Sequence, residues 1–388
     1  MKQKTMRVAI VRRLPKDSFS MDVYADGLVS GLKAVRPDWE IIELTPTPYS
    51  LERQRKSWLK GIQKYYERYW RYPATLKRQV ADIFHIIDHS EGHIARWLKR
   101  TGKPVVITCH DLINFIYPEN IQDQAKVPFI SKASWKYSIG GLKQSDRIIT
   151  VSSHTAKDVT RLLHTQSDRL TVVPNAVESC FRLLPAAEIA AFRSSQGLTP
   201  QTFCLLNVGS NHPRKNVSTV LKVLEILKSQ GLPVHFWKTG ADFTAEQKTF
   251  IQNHNLENIT YLGKPDKATL VKIYNAADIL LAPALYEGFG MTILEAMACG
   301  TPVITSNVTS LPEVAGNAAI LVEPMDVQAM VKAISHLQTD PSYQNILIQR
   351  GQERAREFSW EKTGEQIAGV YEHLLGSVQN SSSKTSIV

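Results

Sequence analysis

Two carboxylates with seven residues between them stand in the run Glu287-Gly-Phe-Gly-Met-Thr-Ile-Leu-Glu295. Gly288 and Gly290 permit a tight turn whose backbone N–H groups can face a ligand, and Met291–Cys299 reads as a helix stopped by Gly300 and Pro302. The start of such a helix suits an oxyanion. Carboxylates at either end of the turn can flank a bound molecule, and each can accept from two vicinal hydroxyls. Alone, the same pair reads as a cap and a surface residue. A second group is cationic. Gly209-Ser-Asn-His-Pro-Arg214-Lys215-Asn216 leads from a buried strand into a helix, with Asn216 as the expected N-cap. A diphosphate there meets a guanidinium fork, an ammonium point charge and the positive helix end. The pattern is neither a Walker loop nor GxGxxG, and a solvated basic turn has the same composition. Third, His110 ends a strand and precedes Asp111; a histidine in that place serves as readily for structure as for chemistry.

The elements that carry these residues alternate in a simple way. Strand candidates in the first half are Arg7–Val11, Glu40–Leu44, Ile83–Ile87, Pro104–Thr108, Arg147–Val151 and Leu170–Val173. Those in the second half are Phe203–Val208, Val234–Lys238, Ile259–Leu262, Ile279–Ala282, Pro302–Thr305 and Ala319–Val322. Helical-period stretches such as Val217–Ser229, Lys267–Asn275 and Val327–Leu337 separate them. Apolar strands alternating with helices predict an α/β chain of two Rossmann-like, doubly wound parallel sheets, with ligands at the carboxyl ends of the strands. Weak strand character around 176–200, with Pro185, Gly197 and Pro200, predicts the domain boundary. The Ser-rich stretch Asn380–Ser386 predicts a disordered tail.

Composition bounds the rest. The chain has 388 residues, 43% hydrophobic and 21% charged, which excludes a disordered or collagen-like protein. No apolar run is long enough to span a bilayer, and none near the start is long enough for a signal peptide, so the expectation is a cytoplasmic protein. Cys109, Cys180, Cys204 and Cys299 have no CxxC spacing, so neither a disulfide framework nor a zinc site is expected. The net charge of +10 is lopsided: residues 1–200 hold 31 Lys/Arg against 19 Asp/Glu, and the remainder is slightly acidic. Nine of those cations lie in 51–80, among Trp58, Tyr65, Tyr66, Tyr69, Trp70 and Tyr72. A basic aromatic helix over 52–78 can lie on an anionic membrane, dock an acidic or lipid-linked partner, or pack on its own sheet. No nucleic-acid recognition motif accompanies the charge.

Taken together, Tyr286-Glu-Gly-Phe-Gly-Met-Thr-Ile-Leu-Glu-Ala-Met-Ala-Cys-Gly-Thr-Pro-Val-Ile resembles the retaining glycosyltransferases of family 4. The resemblance takes in Val173-Pro-Asn-Ala-Val177, Arg214-Lys215-Asn216, Tyr261-Leu-Gly-Lys-Pro-Asp, Ile273-Tyr-Asn-Ala-Ala-Asp278, Ser310-Leu-Pro-Glu-Val-Ala-Gly316 and Phe358-Ser-Trp-Glu361. In the first half it is thinner, chiefly Val105-Val-Ile-Thr-Cys-His110-Asp111-Leu. It implies the GT-B fold, two Rossmann-like domains facing a central cleft. The expected division is 1–185 for the acceptor domain, with a C-terminal helix 359–377 packing back on it, 186–358 for the donor domain, and 378–388 for the tail. The resemblance makes Arg214 and Lys215 the pair that neutralises a donor diphosphate near Gly209. Glu295 then binds ribose hydroxyls and Glu287 the sugar, with Phe289, Gly290, Met291 and Thr292 forming the turn around sugar and phosphate. His110 lies near the reacting sugar. No metal and no cofactor beyond the nucleotide-sugar donor are expected. The loop Arg12–Ser20 departs from the family in having no glycine, with Arg12, Arg13 and Lys16 in its place.

The implied activity is hexosyl transfer from a UDP-glucose-type or GDP-mannose-type donor to a glycan or lipid-linked acceptor, with peripheral contact at the inner face of a membrane as an added option. A sugar phosphorylase or epimerase on the same fold, and a non-catalytic nucleotide-sugar or membrane-binding partner, are the competing readings. Intact Glu287, Arg214 and Lys215 count against the last.

Overall fold

The computed structural model describes residues 5–15, 19–47, 63–116, 129–232 and 234–385. The chain divides into two units, Met1–Asn175 with Trp360–Val388, and Ala176–Ser359. Each is built on a six-stranded sheet, and every strand pairing is parallel.

The strands of the first unit are β1 (Arg7–Val11), β2 (Glu40–Leu44), β3 (Ile83–Ile86), β4 (Val105–Cys109), β5 (Arg147–Thr150) and β6 (Leu170–Val172), in the order β2-β1-β3-β4-β5-β6. Those of the second are β7 (Phe203–Gly209), β8 (Val234–Gly240), β9 (Ile259–Tyr261), β10 (Ile279–Ala282), β11 (Val303–Ser306) and β12 (Ile320–Val322), in the order β12-β11-β10-β7-β8-β9. Central strands are buried on both faces, which is why β3 and β4 are apolar apart from His85 and Thr108, whereas the edge strands β2 and β9 are partly exposed. Strand starts follow proline chemistry. Pro104 and Pro302 stand just outside β4 and β11, where their carbonyls accept from Phe84 and Leu280 but no ring nitrogen has to donate. In each sheet the order reverses beside the first strand, between β1 and β3 and between β7 and β10. Such switch points leave a crevice at the carboxyl ends of the strands.

The division falls ten residues before the position expected at 185. Residues 176–185 go with the second unit because Leu184 N–H donates to Asn275 Oδ1 at 2.8 Å and Phe181 meets Tyr274 edge-on. The expected boundary stretch also holds a helix, Ala186–Ser195, which starts after Pro185. The helix Trp360–Thr385 returns to the first unit and continues through residues assigned to a disordered tail, since neither proline nor glycine follows Gly376 to stop it. Its start packs on the helix Phe19–Val35 at a distance only glycine allows: a Cβ on Gly31 would lie 2.0 Å from the Trp360 carbonyl oxygen. Arg36 holds it by ion pairs to Glu365 and Glu372, and Thr363 Oγ1 donates to Pro174 O at 2.9 Å. Deeper in, Tyr371 reaches His85 of β3, whose other ring nitrogen bonds Thr108 of β4.

Candidate active site

The second unit's switch point collects the cations and one of the carboxylates. β7 ends at Gly209, and a short 3-10 turn, Pro213–Lys215, precedes the helix Val217–Ser229. Across the crevice, β10 leads to Pro283 and then to Glu287. The two loops are stitched by Leu285 N–H donating to Arg214 O at 2.7 Å. Arg214 Nη1 then donates to Glu287 Oε2 at 2.8 Å and to Tyr286 O at 3.1 Å, while Lys215 Nζ meets Glu287 Oε1 at 2.5 Å. The Glu287 side chain is 12% exposed. Burial alone would raise its carboxyl, but Lys215 and Arg214 outweigh that and hold it below the usual carboxylate range. The carboxylate thus sits between the cations as a bridging anion.

Asn216 corrects a sequence expectation. It occupies the N-cap position in a left-handed conformation, φ 59°, and makes no side-chain cap bond. Instead its amide donates to Pro283 O and Pro324 O, and its Oδ1 accepts from Thr219 Oγ1. Its work is to tie the loops after β7 and β10 together.

The turn after Glu287 is fixed from outside. Ser310 Oγ lies 2.9 Å from both Glu287 O and Phe289 O, and Glu287 N–H donates to Thr309 Oγ1. Phe289 is buried beside Phe358. Gly290 has φ 110°, a conformation that favours glycine, and a Cβ there would lie 2.9 Å from Leu311 Cδ2, so that methyl would have to shift. It starts the helix Met291–Ala298 with no capping side chain, leaving Met291 and Thr292 in the first turn. Glu295, one turn on, is not part of the cation cluster. Its Oε2 accepts from Tyr274 O–H at 2.7 Å, and burial pushes its carboxyl up to about 7. Tyr274, Thr309 and Ser310 were not singled out from sequence. Two lie in the stretches carrying the family resemblance, but a hydroxyl holding a backbone turn leaves no spacing signal.

His110 belongs to the first unit. It follows β4, is buried, and its Nε2 lies 2.8 Å from Ile87 O, which fixes the proton on that nitrogen. Burial lowers its basicity although Asp88 opposes that, so the ring is neutral. Tyr24 meets it edge-on at 4.6 Å. Around the switch point between β1 and β3, Arg13 pairs with Asp88 at 2.9 Å and Arg68 with Glu91 at 2.8 Å. In the glycine-free loop, Arg12 is held by Asp22, Asp26 and Glu43; Lys16 lies outside the described residues. Of the basic aromatic segment, 52–62, with Trp58, is outside them too. The part described, from Gln63 through Leu76, is helical with a π-turn at Glu67–Arg71. Tyr69 and Tyr72 face inward, while Tyr66 and Trp70 are 56% and 62% exposed. Among the described residues, no group of three or more His, Cys, Asp or Glu could hold a metal ion, and no helix is long and apolar enough to cross a membrane.

Comparison with known proteins follows the two units. The family model of glycosyltransferase family 4 matches residues 8–179, and that of glycosyl transferases group 1 matches residues 188–354. The O-antigen chain mannosyltransferase B of Escherichia coli is 32% identical over 275 residues, 69% of this chain and 70% of that protein. The serotype-specific mannosyltransferase WbdA of Escherichia coli is 26% identical over 311 residues, and there the chain spans 37% of the relative's length. Among solved structures, sucrose-phosphate synthase from Thermosynechococcus elongatus superposes with a TM-score of 0.74 at 20% identity, covering 96% of this chain and 100% of the other.

Proposed function

The chain belongs to the glycosyltransferases of family 4, and from that premise we propose that it transfers a hexosyl group, with retention at the anomeric carbon, from a nucleotide-diphosphate sugar to a glycan or lipid-linked acceptor. The observation that carries the reading is the Arg214–Glu287–Lys215 cluster at the switch point between β7 and β10, beside an uncapped helix start. Two cations and a helix start without a capping side chain suit a diphosphate, whose charge grows as the anomeric C–O bond breaks. Glu287 then serves the sugar and keeps the cations in place. With its carboxylate engaged by both, it is not assigned as a covalent nucleophile, and a phosphate oxygen of the leaving group takes the acceptor's proton. Glu295 accepts from ribose hydroxyls, a role for which its ionised form is the competent one.

The first unit supports the acceptor side. Arg13, Lys64, Glu67, Arg68, Tyr72 and Glu91 line a crevice at the carboxyl ends of β1 and β3. Its alternating cations and carboxylates suit hydroxyl-rich ligands. His110 stands at the neighbouring strand end of the same unit as a neutral hydrogen-bonding group on the acceptor side. Exposed Tyr66 and Trp70, with Lys64 and Arg71 beside them, support peripheral contact with an anionic membrane surface. The mannosyl specificity of the two bacterial relatives favours testing GDP-mannose beside UDP-glucose. The deciding experiment is a donor screen by thermal shift, followed by assay of free nucleoside diphosphate. Release that requires an acceptor supports transfer; release without one, or phosphate-dependent release, rejects it.

A further inference from the structure

Lys238 lies inside β8 and is fully buried, a place lysine seldom occupies. Its Nζ donates to the carbonyl oxygens of Gly209 and Thr239, each at 2.9 Å. Gly209 is the last residue of β7, and the turn bearing Arg214 and Lys215 begins there. The Lys215 side chain passes Gly209 as well: a Cβ at Gly209 would lie 3.6 Å from Lys215 Nζ. Two ammonium groups therefore approach one glycine. The Gly209 carbonyl also accepts from Ala241 N–H at 3.0 Å, and Gly240, its partner in register, lies so close that a Cβ there would be 2.2 Å from that oxygen. The end of β7 is thus held at one carbonyl by two donors, one of them charged.

Packing alone does not call for that charge. An unbranched apolar side chain would fill the same volume without an ammonium to desolvate. Burial and then the nearby Lys215 lower the Lys238 ammonium to about 8, with Asp242 opposing them. The charged groups facing it are these two, Lys215 on the turn after β7 and Asp242 on the loop after β8, where Lys248 already pairs with the carboxylate. Its register neighbours, Asn207 of β7 and Tyr261 of β9, carry no formal charge to offset it. Arg214, Lys215 and Lys238 bring three positive charges to this strand end against the single bridging carboxylate of Glu287, and that excess is suited to an anion supplied from outside.

We propose that Lys238 is a positioning residue for the donor, pinning the Gly209 carbonyl so as to aim the Arg214–Lys215 turn and adding a third positive charge behind the nucleoside diphosphate. This rests on the donor reading given above. Its consequence is an affinity that is full while Lys238 is protonated and falls as pH rises through its titration.

The test measures binding of UDP and GDP by calorimetry between about pH 7 and about pH 9 for the parent, Lys238→Met, Lys238→Arg and Arg214→Ala. The parent should lose about fivefold to tenfold in affinity over that range. Lys238→Met should bind about tenfold more weakly at the lower pH and show no alkaline loss. Lys238→Arg should bind as the parent does at the lower pH and hold its affinity at the higher. A folded Lys238→Met with parental affinity and profile overturns the proposal, as does an arginine variant that keeps the parental alkaline loss. If the methionine variant does not fold, the profile of Glu295→Gln, which lacks the rise expected from that carboxyl, decides, and a flat one overturns the idea. Failure of the parent to bind either nucleotide, or undiminished binding by Arg214→Ala, would instead bring down the donor reading and this inference with it.

Discussion

Replacing Arg214 with alanine removes the fork that reaches both Glu287 and the Tyr286 carbonyl, and leaves Lys215 as the sole cation on that carboxylate. If the fork also binds the leaving diphosphate, the transition state loses at least one charge-assisted hydrogen bond, about 1.5–3 kcal/mol. At about 1.4 kcal/mol per tenfold, kcat/KM for the donor should fall about 10- to 150-fold. The fold should suffer much less. The Arg214 carbonyl still accepts from Leu285 N–H, and Lys215 still pairs with Glu287, so no buried carboxylate is left unpaired. Arg214→Lys keeps charge without the planar fork and should fall between the two. The assay is initial-rate release of nucleoside diphosphate against donor concentration, with a melting curve for each variant. An alanine variant whose kcat/KM stays within about twofold of the parent would refute the phosphate role, because that is far below the smallest loss the missing hydrogen bond allows. A variant that merely melts early, with parental kcat/KM below its melting range, would show that Arg214 supports the loop and not the reaction.

Four further outcomes are expected. Glu295, raised by burial to about 7, should make donor affinity climb between about pH 6 and about pH 8 as its carboxylate forms. Glu295→Gln should abolish that limb, and Tyr274→Phe should move its midpoint upward by removing a donor to the anion. The same raised carboxyl means that its contribution to stability is lost as pH rises through about 7, readable as a falling melting temperature in the parent but not in Glu295→Gln. Gly290→Ala should cost about 1–2 kcal/mol through its φ of 110° and the close Leu311 methyl, a melting temperature lower by about 2–8 °C; an unchanged Tm would show the turn to be slack. Tyr66→Ala with Trp70→Ala should weaken co-sedimentation with anionic liposomes at low salt, and high salt should release the parent. Failure of the parent to sediment at low salt would remove the membrane contact.

Much of the fold could be read from sequence because parallel strands buried on both faces advertise themselves as short β-branched runs, and β1, β2 and β10 have the very limits their residues imply. The site was legible where glycine and charge coincide, as at Glu287–Gly290 and Arg214–Lys215. What could not be read was the work of residues that act across the chain. Asn216 has the composition of a cap, but its amide is drawn to Pro283 and Pro324, carbonyls remote in sequence. Lys238 sits among Phe236 and Trp237, and a lysine in a strand ordinarily reads as facing water; the carbonyls of Thr239 and of Gly209, the latter on the adjacent strand, explain its burial. Likewise the helix Ala186–Ser195 has little amphipathic pattern, so its stretch reads as a domain boundary.

The return of the last helix to the first unit has a bearing on how the protein is made. Trp360 and the buried face of Ile367, Ala368 and Tyr371 complete a core whose other members were synthesised before residue 176. At about 5–20 residues per second, a ribosome needs on the order of ten to forty seconds to build Ala176–Ser359 before it can deliver them. Through that interval the groove at Gly31 and the Tyr371 side of His85 stay open to water and to other nascent chains. A premature stop codon just before Trp360 would therefore do more than shorten the product: it would make the exposed nascent intermediate permanent, a natural client for chaperones and proteases.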